Sequence, residues 1–470
     1  MNTSTTQTTA QTDANITQHE RDLNVQTMRN EMHLDAVKFM QYGIREIVDT
    51  AQQIRERDPN WAMIPENIGD PIPKSWPVPP FVKDLIKEVV DDESNKVFGY
   101  SHSRGLPATR KWVTEYSKRF SPSSKLDYEY VLFTSGLGAA ISALYHMVKK
   151  GARILQPTPA YPTHVSLEAY CQQAPGIQYK SDPDNDWQPD LADMEAKIIA
   201  HPEVTGILVI NPNNPTGAVY SAETIEKIVQ LAEKYNLMII ADEVYFRMVY
   251  NGHEHAHITE IAHNRVPLIV MRGLSKDVPW PGGRCGWLEF HNTHLNEDYK
   301  KYCESVKKRI LMEVCSVTMP QMLAPKIYDH PDYEAWIANY NRELEANGNR
   351  IAELLSESPY LKVNRTNGAF YMMPLFKEGV LSNNQTLPIE NDEVRAYIEN
   401  EVSQPDFPLD KRFCYYVLAA TGICIVPASG FFSPHPGFRL TTLDRDPVRA
   451  KNTYENLVKA VKEYVESGAQ

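Results

Sequence analysis

Short apolar runs alternate with amphipathic segments between about residues 130 and 290, and this alternation limits the fold more than any other property of the chain. The runs at residues 206–210, 237–241 and 268–271 are rich in β-branched residues and have the length of strands. The segment after residue 138 instead repeats apolar residues at helical spacing. Because strands and helices that alternate in this way form parallel sheets covered by helices, the sequence predicts an α/β fold.

Residues with useful chemistry follow the apolar runs. In open α/β sheets, ligands bind beyond the carboxyl ends of the strands, so residues at those positions are candidates for a site. Five runs are each followed by such a feature, namely the small-residue turn at Gly136, then Tyr161, Asn214, Asp242 and Lys276. Their convergence on one edge of the sheet predicts a single binding site.

The loop that contains Lys276 indicates which ligand this site binds. Lys276 follows the run at residues 268–271 in a segment rich in Gly and Pro, and Arg284 follows eight residues later. A partly desolvated lysine is a nucleophile toward carbonyl carbons, and the planar fork of an arginine suits a phosphate. An amine of this kind beside a phosphate-binding cation is what pyridoxal phosphate requires.

Each of the other strand-end residues also has a plain structural interpretation. The turn at Gly136 is either an anion site at a helix start or a tight turn. Tyr161 either stacks on a flat cofactor or fills its loop. Asp242 either pairs with a protonated ring nitrogen or caps a helix. Asn214 lies in a loop that two X-Pro bonds make rigid, which is typical of a positioned side chain, although the loop could also be a plain turn.

The composition excludes several classes of protein. A chain of 470 residues has room for two domains and a large core, and its 42% hydrophobic and 23% charged residues are an ordinary globular balance. A net charge of −12 disfavours a nucleic-acid partner. The six cysteines form no CxxC pair, and neither a membrane-spanning run nor a signal sequence is found. The expected location is the cytoplasm.

A group of histidines is the one pattern that suggests a metal. His253, His255 and His257 alternate, and His263 follows. Histidines two apart in a turn flanked by Gly and Asn are expected to be solvated, and no carboxylate or cysteine completes a ligand set. The sequence therefore predicts no metal site.

Several motifs occur in an order and spacing that resemble a known family. They are Asn-Pro-x-Asn-Pro-Thr-Gly from Asn211, Ala-Asp-Glu-x-Tyr ending at Tyr245, Ser275-Lys276 with Arg284 eight residues later, and Phe438-Arg439-Leu440. The chain resembles the class I/II pyridoxal-phosphate-dependent aminotransferases of fold type I, and within them the bacterial alanine aminotransferase type. The resemblance runs from about Tyr42 to the end.

The resemblance implies a domain organisation. It predicts a large domain with a mostly parallel seven-stranded sheet between helices, together with a smaller α/β domain. Residues 1–30, which contain almost no large apolar side chains, are expected to be a disordered arm, or alternatively an arm swapped onto a partner subunit. Residues 31–90 would begin the small domain and connect it to the large cofactor-binding domain, 91–335. Residues 336–470 would complete the small domain.

The resemblance also implies roles for the cofactor-binding residues. Lys276 would hold pyridoxal 5′-phosphate covalently and later move the proton of the substrate, while Asp242 would keep the ring nitrogen protonated. Asn214 and Tyr245 would bind the phenolic oxygen, and Tyr161 would stack on the ring. The phosphate would be held by the remaining members of the set, namely Gly136, Leu137, Ser275 and Arg284.

Further residues are implied to bind the substrate or a second subunit. Arg439 would clamp the substrate carboxylate, with Gly69, Asn214 and Tyr42 completing that pocket. Tyr100 would reach the phosphate of a neighbouring subunit, which implies a homodimer with shared sites.

The implied activity is transamination between alanine, or another small neutral L-amino acid, and an oxo acid such as 2-oxoglutarate. The bulky stretch 278–283 departs from the alanine enzymes, and an aspartate or aromatic aminotransferase is an alternative. A lyase, decarboxylase, cyclase or oxidase with the same cofactor site is another, because reaction type depends on substrate contacts. A transcription regulator, which would need an N-terminal helix-turn-helix and a basic face, is disfavoured by the short polar arm and the net charge of −12.

Overall fold

The computed structural model describes residues 35–40 and 43–468. The predicted arm, residues 1–30, lies outside the described residues, and so does the predicted substrate residue Tyr42.

The described chain folds into helices and strands that alternate as expected. The α-helices are α1 Gly43–Arg57, α2 Pro80–Asp91, α3 Pro107–Lys118, α4 Leu137–Met147, α5 Pro162–Gln172, α6 Leu191–Ala200, α7 Ala222–Lys234, α8 Ile258–Ile261, α9 Glu297–Leu311, α10 Thr318–Tyr328, α11 Tyr333–Ser356, α12 Asp392–Val402, α13 Leu409–Thr421 and α14 Pro447–Ser467. The strands are β1 Ile64–Pro65, β2 Val131–Ser135, β3 Arg153–Thr158, β4 Ile177–Asp182, β5 Gln188–Pro189, β6 Val204–Ile210, β7 Met238–Asp242, β8 Leu268–Gly273, β9 Cys285–His291, β10 Leu361–Lys362, β11 Tyr371–Met372, β12 Leu375–Phe376, β13 Ile423–Cys424, β14 Val426–Pro427 and β15 Phe438–Thr441.

The large sheet has the order β2-β9-β8-β7-β6-β3-β4-β5. Strands β8, β7, β6, β3 and β4 pair in parallel, and β9 runs antiparallel between β8 and β2. The prediction of a mostly parallel sheet is confirmed. The predicted number of seven strands needs one correction, because the two-residue strand β5 adds an eighth by pairing antiparallel with β4.

Both faces of this sheet are buried at its centre, which explains why the central strands are apolar without alternation. In β6, Ile207 and Val209 belong to the core on one face, whereas Leu208 and Ile210 belong to the core on the other. Successive side chains of a strand point to opposite faces, so a strand covered on both sides needs apolar residues at every position.

The C-terminal part forms smaller sheets around a separate core. Strands β14 and β15 pair antiparallel, and β15 also pairs with β11. Strand β1 lies parallel to β13, so that Ile64 is opposite Ile423. The long helix α11 begins at Tyr333 and packs against α14. The domain boundaries stay a prediction.

Crossing a bilayer requires a helix that is both long and strongly apolar, and none in residues 35–40 and 43–468 meets both conditions.

Candidate active site

A cavity of about 460 Å³ lies where the strand-end residues of the large sheet meet the smaller sheets. Ten of the residues that the sequence singles out line it: Gly69, Leu137, Tyr161, Asn214, Asp242, Tyr245, Ser275, Lys276, Arg284 and Arg439. The polar side chains among them supply an amine, a carboxylate and two guanidinium groups. Such a set can hold an anionic ligand and exchange protons with it.

Lys276 projects into the cavity from the loop after β8. Its Nζ donates a hydrogen bond to the carbonyl oxygen of Gly69 at 2.8 Å and lies 5.4 Å from the ring centre of Phe370. The backbone of Gly69 approaches so closely that an added Cβ would lie 1.8 Å from the Tyr371 hydroxyl. Any larger residue at this position would displace the rings of Tyr371 and Phe370.

Asp242 is the last residue of β7 and is buried. Its Oδ2 lies 3.2 Å from His164 Nε2, and His164 Nδ1 lies 3.0 Å from the hydroxyl of Tyr145. Its Oδ1 accepts a hydrogen bond from the backbone N–H of Val244 at 3.2 Å. A turn follows β7, so helix capping does not explain Asp242. The sequence interpretation missed His164, whose one signal was its place in the helix that begins after Tyr161.

Arg439 lies in β15 and is buried. Its Nη1 donates to Asn214 Oδ1 at 3.4 Å, and its Nη2 donates to the carbonyl oxygen of Asn67. The guanidinium carbon stands 4.5 Å from the ring centre of Tyr371 and 4.7 Å from that of Phe431. These contacts fix the plane of the guanidinium, which is what bidentate binding of a carboxylate requires.

Tyr371, the first residue of strand β11, was not singled out as a site residue by the sequence interpretation. The hydroxyl of Tyr245 donates to the hydroxyl of Tyr371 at 3.1 Å. Burial, with Tyr371 beside it, raises the pKa of Tyr245 well above its ordinary value. Tyr245 is therefore a neutral hydrogen-bonding group at physiological pH.

A pocket suited to an anion lies where α4 begins. Gly136 has φ +80° and precedes the first turn of α4, whose N–H groups have no partner within the helix. A Cβ on Gly136 would lie 2.6 Å from Nη2 of Arg284. Arg284 itself donates to the carbonyl oxygens of Pro281 and Ser135 at 3.1 and 3.4 Å. The helix start and the guanidinium together favour negative charge here.

Tyr100 does not line the cavity, unlike most of the predicted residues. Its side chain is 89% exposed, and it lies in an apolar patch with Phe98, Met312, Val314 and Val317, which are all exposed. Hydrogen bonds from Thr318 Oγ1 to the Gly99 carbonyl and from Ser101 Oγ to the Ser316 carbonyl hold the two segments of the patch together.

His255 contradicts the expectation that the alternating histidines are solvated. Its side chain is 4% exposed, and Nε2 lies 3.2 Å from Glu243 Oε1. Burial and the neighbouring His255 lower the pKa of His257 to about 4. The ring of Phe246 lies against His255 and that of Phe120 against His257, and the spacing of the histidines in the sequence does not reveal these contacts. In the described part of the chain, no three His, Cys, Asp or Glu residues are grouped to hold a metal ion.

Glu243 belongs to a charged cluster buried in the large sheet. Arg272 donates to Glu243 Oε2 at 2.7 and 3.0 Å and to Glu289 Oε1 at 3.2 Å. Glu289 also accepts from Trp287 Nε1 at 2.9 Å. Burial alone would raise the pKa of Glu243, but Arg272 and His255 hold it well below its ordinary value. The carboxylates are therefore ionised and paired.

Arg45 and Asp70 also line the cavity, and the sequence interpretation missed them as site residues. Arg45 belongs to the first turn of α1, within the stretch Tyr42-Gly43-Ile44-Arg45 where the resemblance begins. Asp70 Oδ1 accepts from the backbone N–H of Ile72 at 3.0 Å.

Comparison with known proteins assigns the family. The model of the family described as aminotransferase class I and II matches residues 74–457. The chain belongs to this family. Its members are pyridoxal-phosphate-dependent transaminases, and this protein is one of them.

Relatives of this aminotransferase cover most of its length. An uncharacterized aminotransferase of Methanocaldococcus jannaschii is 40% identical over 440 residues, which are 94% of this chain and 100% of that protein. The glutamate-pyruvate aminotransferase AlaA of Escherichia coli is 30% identical over 311 residues, 66% of this chain and 74% of that protein. The structure of an alanine aminotransferase from Pyrococcus furiosus has a TM-score of 0.77 at 28% identity and covers 91% of this chain and 99% of that one. The resemblance to the family and to its alanine aminotransferases is confirmed.

Proposed function

We propose that this transaminase moves an amino group between L-alanine, or another small neutral amino acid, and 2-oxoglutarate. The observation that carries the proposal is the meeting of Lys276, Asp242 and two arginines, Arg284 and Arg439, in one cavity. The names of the relatives agree with it, since one at 30% identity is a glutamate-pyruvate aminotransferase.

The residues present fit pyridoxal phosphate. A buried carboxylate, Asp242, is the group that a protonated ring nitrogen needs, and the start of α4 with Arg284 suits a phosphate. Gly136 supports the same assignment, because any larger residue would push the Arg284 guanidinium aside. When bound, the cofactor supplies an electron sink that stabilises negative charge on the substrate α-carbon.

The proposed roles follow from the chemistry of each side chain. Lys276 binds the cofactor through Nζ and, once free, moves the proton on the substrate α-carbon. Asp242 would hold a proton at the ring nitrogen, and Asn214 would donate a hydrogen bond to the phenolic oxygen. Tyr245 would donate to the same oxygen by turning its single hydroxyl hydrogen away from Tyr371. Tyr161 stacks on the ring.

The remaining cavity residues are proposed to bind the two anionic ends of the ligands. The backbone of Gly136 and Leu137 binds the phosphate together with Ser275 and Arg284. Arg439 clamps the α-carboxylate, with Gly69 beside it.

A second cation supports the choice of 2-oxoglutarate as the amino acceptor. Arg45, in the first turn of α1, lines the same cavity. An oxo acid with two carboxylates needs one arginine for each, and Arg439 and Arg45 are available for the two ends. Alanine, with one carboxylate, would use only Arg439, so both substrates could bind in the same site.

We further propose that the enzyme is a cytoplasmic homodimer in which Tyr100 reaches the phosphate bound by the partner subunit. The exposed apolar patch around Tyr100 supports this, because a patch of that kind on a soluble protein marks an interaction surface. All six cysteines are free, as expected in a reducing compartment.

The test is the absorbance spectrum of the purified enzyme before and after L-alanine is added without oxygen. The proposal expects the band of the lysine-bound cofactor to change to that of its aminated form, and 2-oxoglutarate to reverse the change. An unchanged band with alanine but a change with aspartate or tyrosine would reject the substrate. Release of ammonia without any oxo acid would instead favour a lyase.

A further inference from the structure

The loop Glu66–Lys74 contacts both groups that are proposed to handle the substrate. Its Gly69 carbonyl accepts the hydrogen bond of Lys276 Nζ at 2.8 Å, and its Asn67 carbonyl accepts one from Arg439. Its first six residues form no helix, and only a two-residue strand, β1, precedes it. Regular backbone hydrogen bonds therefore do not hold these carbonyls in place.

The two ends of the loop are joined by a buried ion pair. Lys74 Nζ lies 2.6 Å from Glu66 Oε1, with the side chains 7% and 0% exposed. The other carboxylate oxygen of Glu66 accepts from Thr441 Oγ1 at 2.9 Å, and the backbone N–H of Thr441 donates to the Glu66 carbonyl at 3.0 Å. Thr441 stands two residues after Arg439 in β15, so the pair anchors the loop directly beside that arginine.

A buried ion pair contributes little net stability to a loop. Desolvation of two charges cancels much of their attraction, and an apolar pair of similar size is often as stable. Burial raises the pKa of Glu66, although Lys74 and Thr441 oppose that rise. The pair does fix the orientation of the loop, because Glu66 must face both Lys74 and Thr441 to keep its two oxygens hydrogen-bonded.

We propose that Glu66 and Lys74 are positioning residues of the substrate site, which hold the loop Glu66–Lys74 so that its carbonyls orient Arg439 and Lys276. This inference rests on the proposed role of Arg439 in binding the substrate carboxylate. The loop contacts the proposed cofactor residues only through Lys276, because Asp242 and Arg284 are held by β7 and by the turn before β9 instead.

The test compares two variants that each break a buried ion pair. Lys74→Met breaks the loop pair, and Arg153→Met breaks the pair between Arg153 and Glu168, which is equally buried and does not line the cavity. Both should lose thermal stability. Only Lys74→Met should weaken binding of propionate, the carbon skeleton of alanine without its amine, to the holoenzyme.

Three readouts separate positioning from stability. Calorimetry should give an increase of about tenfold or more in the Kd of propionate for Lys74→Met, the equivalent of one lost hydrogen bond to a charged group. The KM for the amino donor should rise with it, while kcat changes less and the cofactor stays bound through dialysis. Lys74→Arg, which keeps the charge, should restore the Kd. Propionate binding within twofold of the wild type in Lys74→Met would overturn the inference.

A second variant keeps the comparison decisive if Lys74→Met does not fold. Glu66→Gln keeps one oxygen, which can accept from Lys74, and its NH2 group can donate to Thr441 Oγ1, but the charge is removed. The Kd of propionate should therefore still rise, by a smaller factor. An unchanged Kd in this variant would reject the inference. A wild-type holoenzyme that binds propionate but transaminates no amino acid would reject the proposed function and leave the positioning role standing.

Discussion

Two buried charge clusters belong to different parts of the fold. In the large sheet, Arg272 joins Glu243 and Glu289 across neighbouring strands and connections. In the loop Glu66–Lys74, the ion pair is bonded to Thr441, which lies 375 residues from Glu66 in the chain. The sheet cluster fixes strand ends that carry the proposed cofactor residues, and the loop pair fixes carbonyls beside the proposed substrate residues. Breaking the sheet cluster should therefore weaken mainly cofactor binding, whereas breaking the loop pair should weaken mainly substrate binding.

The largest expected effect is that of Arg272→Met. The change leaves two carboxylates, Glu243 and Glu289, buried without their cation, which costs about 3–5 kcal/mol of unfolding free energy. Because Asp242 precedes Glu243, the cofactor should also dissociate more easily. Denaturant unfolding and cofactor retention after dialysis measure the two effects. Arg153→Met is the control, since it should lose stability but keep the cofactor. If Arg272→Met retains the cofactor as well as the wild type does, the sheet cluster has no specific role in cofactor binding.

The next effect concerns pH and Asp277, which follows Lys276. Burial raises the pKa of Asp277 to about 7, although Tyr328 and Tyr333 donate hydrogen bonds to it. Between about pH 4 and 7 the folded state keeps a proton that the unfolded state has lost, so this group's contribution to stability falls as pH rises through that window. The unfolding free energy of Asp277→Asn, measured relative to that of the wild type, should therefore rise by up to about 4 kcal/mol when the pH is raised from 4 to 8.

Denaturant unfolding of both proteins across that range checks the expectation for Asp277. The other titrating groups are common to the two proteins, so the difference between their unfolding free energies isolates this carboxyl group. A difference that does not vary with pH would show that Asp277 is ionised throughout.

A third prediction concerns the substrate side alone. Arg439→Lys keeps the charge but loses the planar fork, so the KM for the amino donor should rise about tenfold to a hundredfold. The absorbance of the bound cofactor should not change. Steady-state kinetics and a spectrum before substrate is added measure both. If this variant loses the cofactor, Arg439 belongs to the cofactor-binding residues and not to the substrate-binding residues.

The smallest effect separates crowding from backbone strain at the phosphate pocket. Gly136 and Gly151 both have a positive φ, +80° and +87°, so alanine at either strains the backbone at a cost of about 1–3 kcal/mol of stability. Only at Gly136 would the new Cβ meet Arg284, since at Gly151 nothing in the described chain lies within 4 Å of it. Gly136→Ala alone should therefore raise the Kd of the cofactor in an equilibrium titration. Equal Kd values for the two variants would exclude Arg284 from the phosphate site.

The sheet side of the cavity was predictable because its signals are local. Asp242, Asn214 and Lys276 each come directly after, or within a few residues of, an apolar run, and parallel strands bring such positions to one edge. Strand β4 escaped prediction, since it alternates polar residues such as Gln178 and Lys180 near the edge of the sheet.

The substrate side could not be predicted in the same way, because its contacts join distant segments. Nothing near Glu66 in the sequence indicates that β1 pairs with β13 or that Thr441 is its partner. Arg45 lies in an ordinary amphipathic helix, and Tyr371 in a strand of two residues. Such residues become candidates only when tertiary structure brings them to the cavity.

The central claim is that Lys276 holds the cofactor in this cavity, and chemical trapping tests it most directly. The holoenzyme is reduced with borohydride, digested and analysed by mass spectrometry. The account predicts that the phosphopyridoxyl group is found on the peptide that contains Lys276, and that Lys276→Ala yields no modified peptide. The same group on another lysine, or a Lys276→Ala protein that is still modified at one site, would contradict it.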